Sequence, residues 1–202
     1  MNYYRVAACV WMGAFLLWGV SFCMGSGTVT SHTPQVVQTT SLAINKVVVP
    51  AYVKPEPNLK LYINTYISDK VLITQIINAI NQESKKFNIP KDVLVGLIAQ
   101  ESGFDHTAIS NKKAMGLSQI NSKIWLQELK NEGIVANKKA LLHPAKSIKA
   151  GCYVLRKYLD EADRKGVSHR MKFALGKYNG DKSGEYYQMV MEKVEEYKNG
   201  LS

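Results

Sequence analysis

Between residues 68 and 198 the apolar positions recur every three or four residues in six runs, each bounded by Gly, Pro, Asn or a short polar cluster. Ser68 is placed to cap the first run, with Val71, Leu72, Ile76, Ile80 and Phe87 at near-helical spacing up to Asn88. Pro90 suits the start of the next helix, because a first-turn residue needs no backbone N–H partner. From Lys91 to Ser102 that second run carries Val93, Leu94, Leu97 and Ile98 as an apolar stripe before Gly103 stops it. The remaining runs predict helices over residues 124–131, 144–165, 169–178 and 186–198. Strand-like alternation is sparse, so the pattern predicts a mainly α fold.

The amino-terminal part has a different pattern. Residues 1–27 carry Arg5, then an almost unbroken apolar run from Val6 to Cys23, and no acidic residue. Such a stretch reads either as a signal peptide, with Gly25, Ser26 and Gly27 as a cleavage region, or as a membrane anchor with Arg5 on the cytoplasmic side. Phe22 directly before Cys23 argues against a lipoprotein site. Either reading exports the rest of the chain to the periplasm or cell envelope and makes the inner membrane a partner of this segment. From Thr28 to near Leu59 the chain is rich in Ser, Thr, Val and Pro (Pro34, Pro50, Pro55, Pro57) and has no helical period, which reads as an extended linker. The expected organisation is therefore a leader over residues 1–27, a linker over 28–67 and one helical domain over 68–202.

Composition narrows the partners. The 202 residues are 46% hydrophobic and 21% charged, values of a globular protein, with a formal net charge of +10. A polyanionic partner fits that charge, and nucleic acid, anionic lipid and cell-wall polymers all qualify. The lysines (Lys85, Lys86, Lys112, Lys113, Lys138, Lys139) are scattered and not interleaved with aromatics, so no nucleic-acid partner is expected. Cys9 and Cys23 lie in the leader, which leaves Cys152 without an intramolecular disulfide partner; its apolar, helical surroundings read as packing. Four histidines without ligand spacing suggest neither a metal nor a cofactor, and His143 reads as a loop residue near a helix start.

Glu101 interrupts the pattern of the second helix. At about 100° per residue with Val93 at the origin, Leu97, Glu101, Leu94 and Ile98 fall at about 40°, 80°, 100° and 140°. The carboxyl thus lies within the apolar stripe, and at a helix C-terminus, where the macrodipole disfavours further negative charge. Desolvation and the dipole both raise its pKa, as a proton donor working near neutral pH requires. The alternative is a Glu whose stem packs while its head reaches solvent.

Three segments bear on that choice: AQESGFD at residues 99–105, AMGLSQI at 114–120 and ALGKYNG at 174–180. In order and spacing they resemble the signature segments of the lysozyme-like soluble lytic transglycosylase family, the likeness covering roughly residues 70–197. The resemblance implies a compact helical lysozyme-like domain with a cleft for glycan. It implies Glu101 as the catalytic residue, with Ser102, Gln119, Ser118, Tyr178 and Asn179 as substrate-binding or positioning residues, Tyr178 being expected to hydrogen-bond the carboxyl or the substrate. Gly116 would let backbone approach closely. Ser118 stands where Met is usual, Lys177 and Asp181 stand where small residues are usual, and HPAKSIKAGCYVL lacks the family's Asn residues.

The implied activity is cleavage of the bond between N-acetylmuramic acid and N-acetylglucosamine in peptidoglycan, with a 1,6-anhydro product and no water consumed. Most glycosidases use two carboxylates. Asp105 is the obvious partner in sequence, but Gly103 breaks the helix between them and the family pattern makes it a loop-stabilising residue; Asp181 and Glu185 stay open. A lysozyme-type hydrolase and a non-catalytic peptidoglycan-binding component of an envelope-spanning machine are the alternatives. A single domain on a tether is similar to specialised transglycosylases that serve secretion, conjugation or pilus assemblies or phage entry, so such an assembly is an expected partner.

Overall fold

A computed structural model describes residues 57–200. The expectations for the leader, and for most of the linker, concern residues outside that range. Among the described residues seven α-helices form: α1 (Leu59–Asn64), α2 (Lys70–Lys86), α3 (Lys91–Ser102), α4 (Ser122–Asn131), α5 (Pro144–Arg164), α6 (Arg170–Asn179) and α7 (Glu185–Asn199). A two-stranded antiparallel hairpin, β1 (Ala114–Met115) and β2 (Ile120–Asn121), precedes α4, and a 3-10 turn (Lys138–Leu142) precedes α5. The mainly α, lysozyme-like expectation is met. None of the described helices is long and apolar enough to cross a membrane.

Helix α3 is the centre of the packing. The stripe expected on it is in fact a belt, since every residue from Val93 to Ala99 is buried, as befits a helix apolar on all sides. α2 lies on one side of it and α7 on another, while α5 packs between α2 and α6. Gly96 sets the approach of α7: a Cβ there would stand 2.6 Å from Val194 Cγ2 and 2.8 Å from the Val190 carbonyl. Gly103 closes α3 in the left-handed conformation at φ 55°, a geometry that a residue without Cβ adopts at little cost.

The start of the domain differs from the expectation. Leu59, Tyr62 and Ile63 of α1 are buried, so the last part of the stretch expected as linker belongs to the packed domain. Asn58 caps this helix by accepting the Leu61 N–H at 3.1 Å, and Tyr62 packs against Phe104 and Tyr197 at centroid distances of 6.2 and 5.4 Å. Six residues hold too few turns to show a period, and their partners lie far away in sequence. Asp69, not Ser68, caps α2, its Oδ1 accepting the N–H groups of Val71 and Leu72 at 2.8 and 3.0 Å. That start turns Val71 outward, where it is 69% exposed, and gives the inner face to Ile73, Ile76 and Ile80.

A second, smaller apolar cluster lies beneath the hairpin, α4 and the 3-10 turn, built from Met115, Ile120, Leu129, Ile134, Val135, Leu141 and Val154. Tyr178 packs against both clusters. The segment 116–119, between the strands, therefore lies where the two meet.

Candidate active site

Glu101 is next to last in α3, and its charge acts on Tyr178, the residue that packs against both clusters. Burial raises its pKa from the ordinary 4.5 to about 7, and the hydrogen bond from Tyr186 opposes that rise without cancelling it. A carboxyl that titrates near neutrality both gives and takes a proton at physiological pH. The Tyr186 hydroxyl donates to Glu101 Oε1 from the first turn of α7. Burial and the adjacent Glu101 charge drive the Tyr186 phenol far above its usual pKa, so it stays a donor. The sequence pattern does not reveal Tyr186. Its only signal there is an aromatic residue in an amphipathic run, which usually marks core.

The residues expected around Glu101 are brought together, mostly to hold one loop. Ser102 Oγ donates to the Leu117 carbonyl at 2.9 Å, which ties the end of α3 to the segment between the strands. Tyr178 donates to the Ser118 carbonyl at 2.7 Å, from α6. The Ser118 N–H donates to Ser147 Oγ at 3.1 Å, from α5. Three helices thus pin consecutive residues of a turn in which Gln119 takes φ 43° and Gly116 φ 72°. Gly116 does admit a close backbone approach, and the backbone is the chain's own: a Cβ there would lie 1.9 Å from the Leu141 carbonyl oxygen.

Two expectations need correction. Of the two bonds expected for Tyr178, to the carboxyl or to the substrate, the first is not formed: its hydroxyl donates to the Ser118 carbonyl, and Tyr186 makes the bond to Glu101. Ser118, expected to contact substrate, is 0% exposed and its Oγ has no hydrogen-bond partner. It fits against Gly151, where a Cβ would come within 2.5 Å of the Ser118 Oγ and 3.3 Å of the Tyr178 hydroxyl. Gln119 is half-buried, and its Nε2 donates to the carbonyls of Ala108 and Gly116 at 3.1 and 3.0 Å. Its amide oxygen is then oriented as an acceptor. Asn179 is exposed at the end of α6.

Asp105 and Asp181, two of the other acids considered from the sequence, are engaged elsewhere. Asp105 Oδ1 accepts both the N–H and the hydroxyl of Thr107, at 2.8 and 2.7 Å, and those bonds hold its carboxyl below the usual range. Both oxygens of Asp181 accept bonds from the loop before α7, and Glu185 is exposed. His143 is the N-cap residue of α5, in line with its sequence context.

A concavity of about 880 Å³ lies elsewhere, at the N-terminal end of α3 among Lys85, Lys91, Arg156 and Arg170. At about 1.5 Å per residue this end is roughly 15 Å from Glu101. Its two arginines are paired with Asp160 and Asp163. The raised carboxyl of Glu101, and not this concavity, marks the candidate site.

A family model described as the transglycosylase SLT domain matches residues 78–189, a span containing Glu101, Ser102, Gln119, Tyr178 and Tyr186. No match was found among curated proteins.

Proposed function

The chain belongs to the transglycosylase SLT domain family, whose model matches more than half of it, and from that premise we propose that it is a peptidoglycan lytic transglycosylase acting through Glu101. The observation that carries this reading is a partly buried carboxyl, titrating at about 7, that has one oxygen fixed by Tyr186 and no second carboxylate engaged beside it among the described residues. In the proposed reaction Glu101 protonates the glycosidic oxygen between N-acetylmuramic acid and N-acetylglucosamine as the bond to the muramyl C1 breaks. The resulting carboxylate then accepts the proton of the muramyl C6 hydroxyl while that oxygen closes on C1. Atoms balance without water, and Glu101 returns to its protonated form. Intramolecular attack benefits from proximity, which removes the need for a base that positions water. Tyr186 suits both halves, since its hydroxyl stabilises the carboxylate after the first proton has left.

The reading also puts the reaction outside the inner membrane, where the apolar leader would deliver the domain. N-terminal sequencing of the exported protein distinguishes an anchor from a cleaved signal: an intact Met1 excludes cleavage. The activity is tested by mass spectrometry of purified peptidoglycan digested with the protein. Muropeptides ending in 1,6-anhydro-N-acetylmuramic acid are expected; reducing ends instead would assign a hydrolase. The Glu101→Gln protein should lose roughly a hundred- to ten-thousand-fold in rate, the usual worth of general acid–base catalysis. Equal clearing of cell-wall suspensions by mutant and wild type would remove Glu101 from the mechanism.

A further inference from the structure

We propose that Asp181 is a positioning residue for this site: it folds the loop before α7 so that the Tyr186 hydroxyl meets Glu101. The inference rests on the catalytic role given to Glu101 above. The Asp181 carboxylate accepts four hydrogen bonds. Oδ1 takes the N–H and hydroxyl of Ser183 at 2.8 and 2.7 Å, and Oδ2 takes the N–H groups of Gly184 and Tyr186 at 2.9 and 3.0 Å. These bonds hold the carboxyl far below the ordinary aspartate range, so it is a charged acceptor throughout the neutral region.

Helix α7 needs this help because its N-cap is Gly184, which has no side chain to offer. Asp181 caps the helix from three residues upstream, and Ser183 Oγ takes the Glu185 N–H at 3.1 Å. The residue whose N–H Asp181 captures is the residue whose hydroxyl reaches Glu101. Two further contacts make the loop specific. Gly184 sits at φ 91°, and a Cβ at Gly176 would lie 2.8 Å from the Asp181 carbonyl, so α6 is shaped to let the loop lie close. Tyr186 is thus fixed from two sides, by Asp181 at its backbone and by the Gly96 contact that sets α7 against α3. In the sequence Asp181 is a departure from the small residues usual beside the Tyr-Asn pair; in the fold that departure has a task.

A simple helix cap would stabilise the fold without touching Glu101, and the test separates the two roles. Tyr178 and Tyr186 are the titratable groups facing the Glu101 carboxyl, and only Tyr186 depends on Asp181. The Glu101 titration is followed by carboxyl carbon NMR, assigned with Glu101→Gln, in wild type, Asp181→Ala, Tyr186→Phe and the double variant. Losing one hydrogen bond to the ionised form predicts an upward move of the midpoint by roughly one pH unit in Tyr186→Phe. Asp181→Ala should move it in the same direction, and the double variant should add nothing to Tyr186→Phe. Asp69→Ala, which removes the cap of α2, serves as the control and should leave the midpoint in place. Should Asp181→Ala fail to fold, Asp181→Asn, which keeps one acceptor oxygen, should give an intermediate shift.

A wild-type midpoint in either Asp181 variant, or additive shifts in the double variant, would overturn the proposal. So would an unmoved midpoint in Tyr186→Phe. Because the titration needs no substrate, a protein that shows the linkage but releases no glycan product would refute the proposed activity and leave the positioning role standing.

Discussion

Replacing Glu101 with Gln should stabilise the protein at alkaline pH and leave it nearly unchanged at acid pH. The carboxyl is largely withdrawn from water, so folding favours its neutral form and raises its pKa from 4.5 to about 7. The contribution of such a group is fully present below the unfolded pKa and is lost as pH rises through the folded one. At about 1.4 kcal/mol per pH unit, the interval between 4.5 and 7 amounts to up to about 3 kcal/mol. Gln is close to isosteric, its amide oxygen can still accept from Tyr186, and it has no charge to desolvate. Urea unfolding of both proteins at about pH 4 and about pH 8.5 reads the effect directly, and every other group's pH dependence cancels in the difference. The mutant's advantage should be near zero at the lower pH and approach about 3 kcal/mol at the higher one. An advantage that does not change with pH, or a wild type that is the more stable at alkaline pH, would refute the view that Glu101 is held in a desolvated site.

Three other outcomes are expected from the same geometry. As a general acid Glu101 must be protonated in the free enzyme, so kcat/KM on peptidoglycan should fall as pH rises through about 7, and a flat profile to well above that point would contradict the assignment. Gly96→Ala forces a Cβ into Val194 and the Val190 carbonyl, which should cost about 1–3 kcal/mol in thermal unfolding and, by displacing α7, lower activity further than the stability loss alone. Tyr178→Phe strands the Ser118 carbonyl in the interior and should cost about 1–3 kcal/mol by chemical denaturation, while leaving the Tyr186 bond to Glu101 in place.

What the sequence determined by itself is the set of long helices and the candidate residue for the proposed chemistry. Periods of 3.6 repeat often enough in α2, α5 and α7 to be read locally, and Pro90, Gly103 and Pro144 bound the helices, α3 included, through backbone preferences that hold in any fold. Glu101 stands out as a carboxyl among apolar positions, which leaves two readings open, and the resemblance of residues 99–105, 114–120 and 174–180 to a known family selects it as the catalytic candidate. The short elements are not visible: α1 has six residues and each strand two, too few to establish a period, and α1 persists through contacts with distant residues such as Phe104 and Tyr197.

The tertiary structure alone decided which tyrosine serves the carboxyl. Tyr178 and Tyr186 both sit on amphipathic helices, and the choice depends on where α6 and α7 bring their hydroxyls. Gly151 makes room for Ser118 and Tyr178 on one side, and Asp181 and Gly96 fix Tyr186 on the other. A hydroxyl's direction is the sum of helix positions set by contacts between residues tens of positions apart, which no local period encodes. Ser118 shows the same limit: its place in the motif suggests a substrate contact, and packing of α5 against the loop puts it wholly inside.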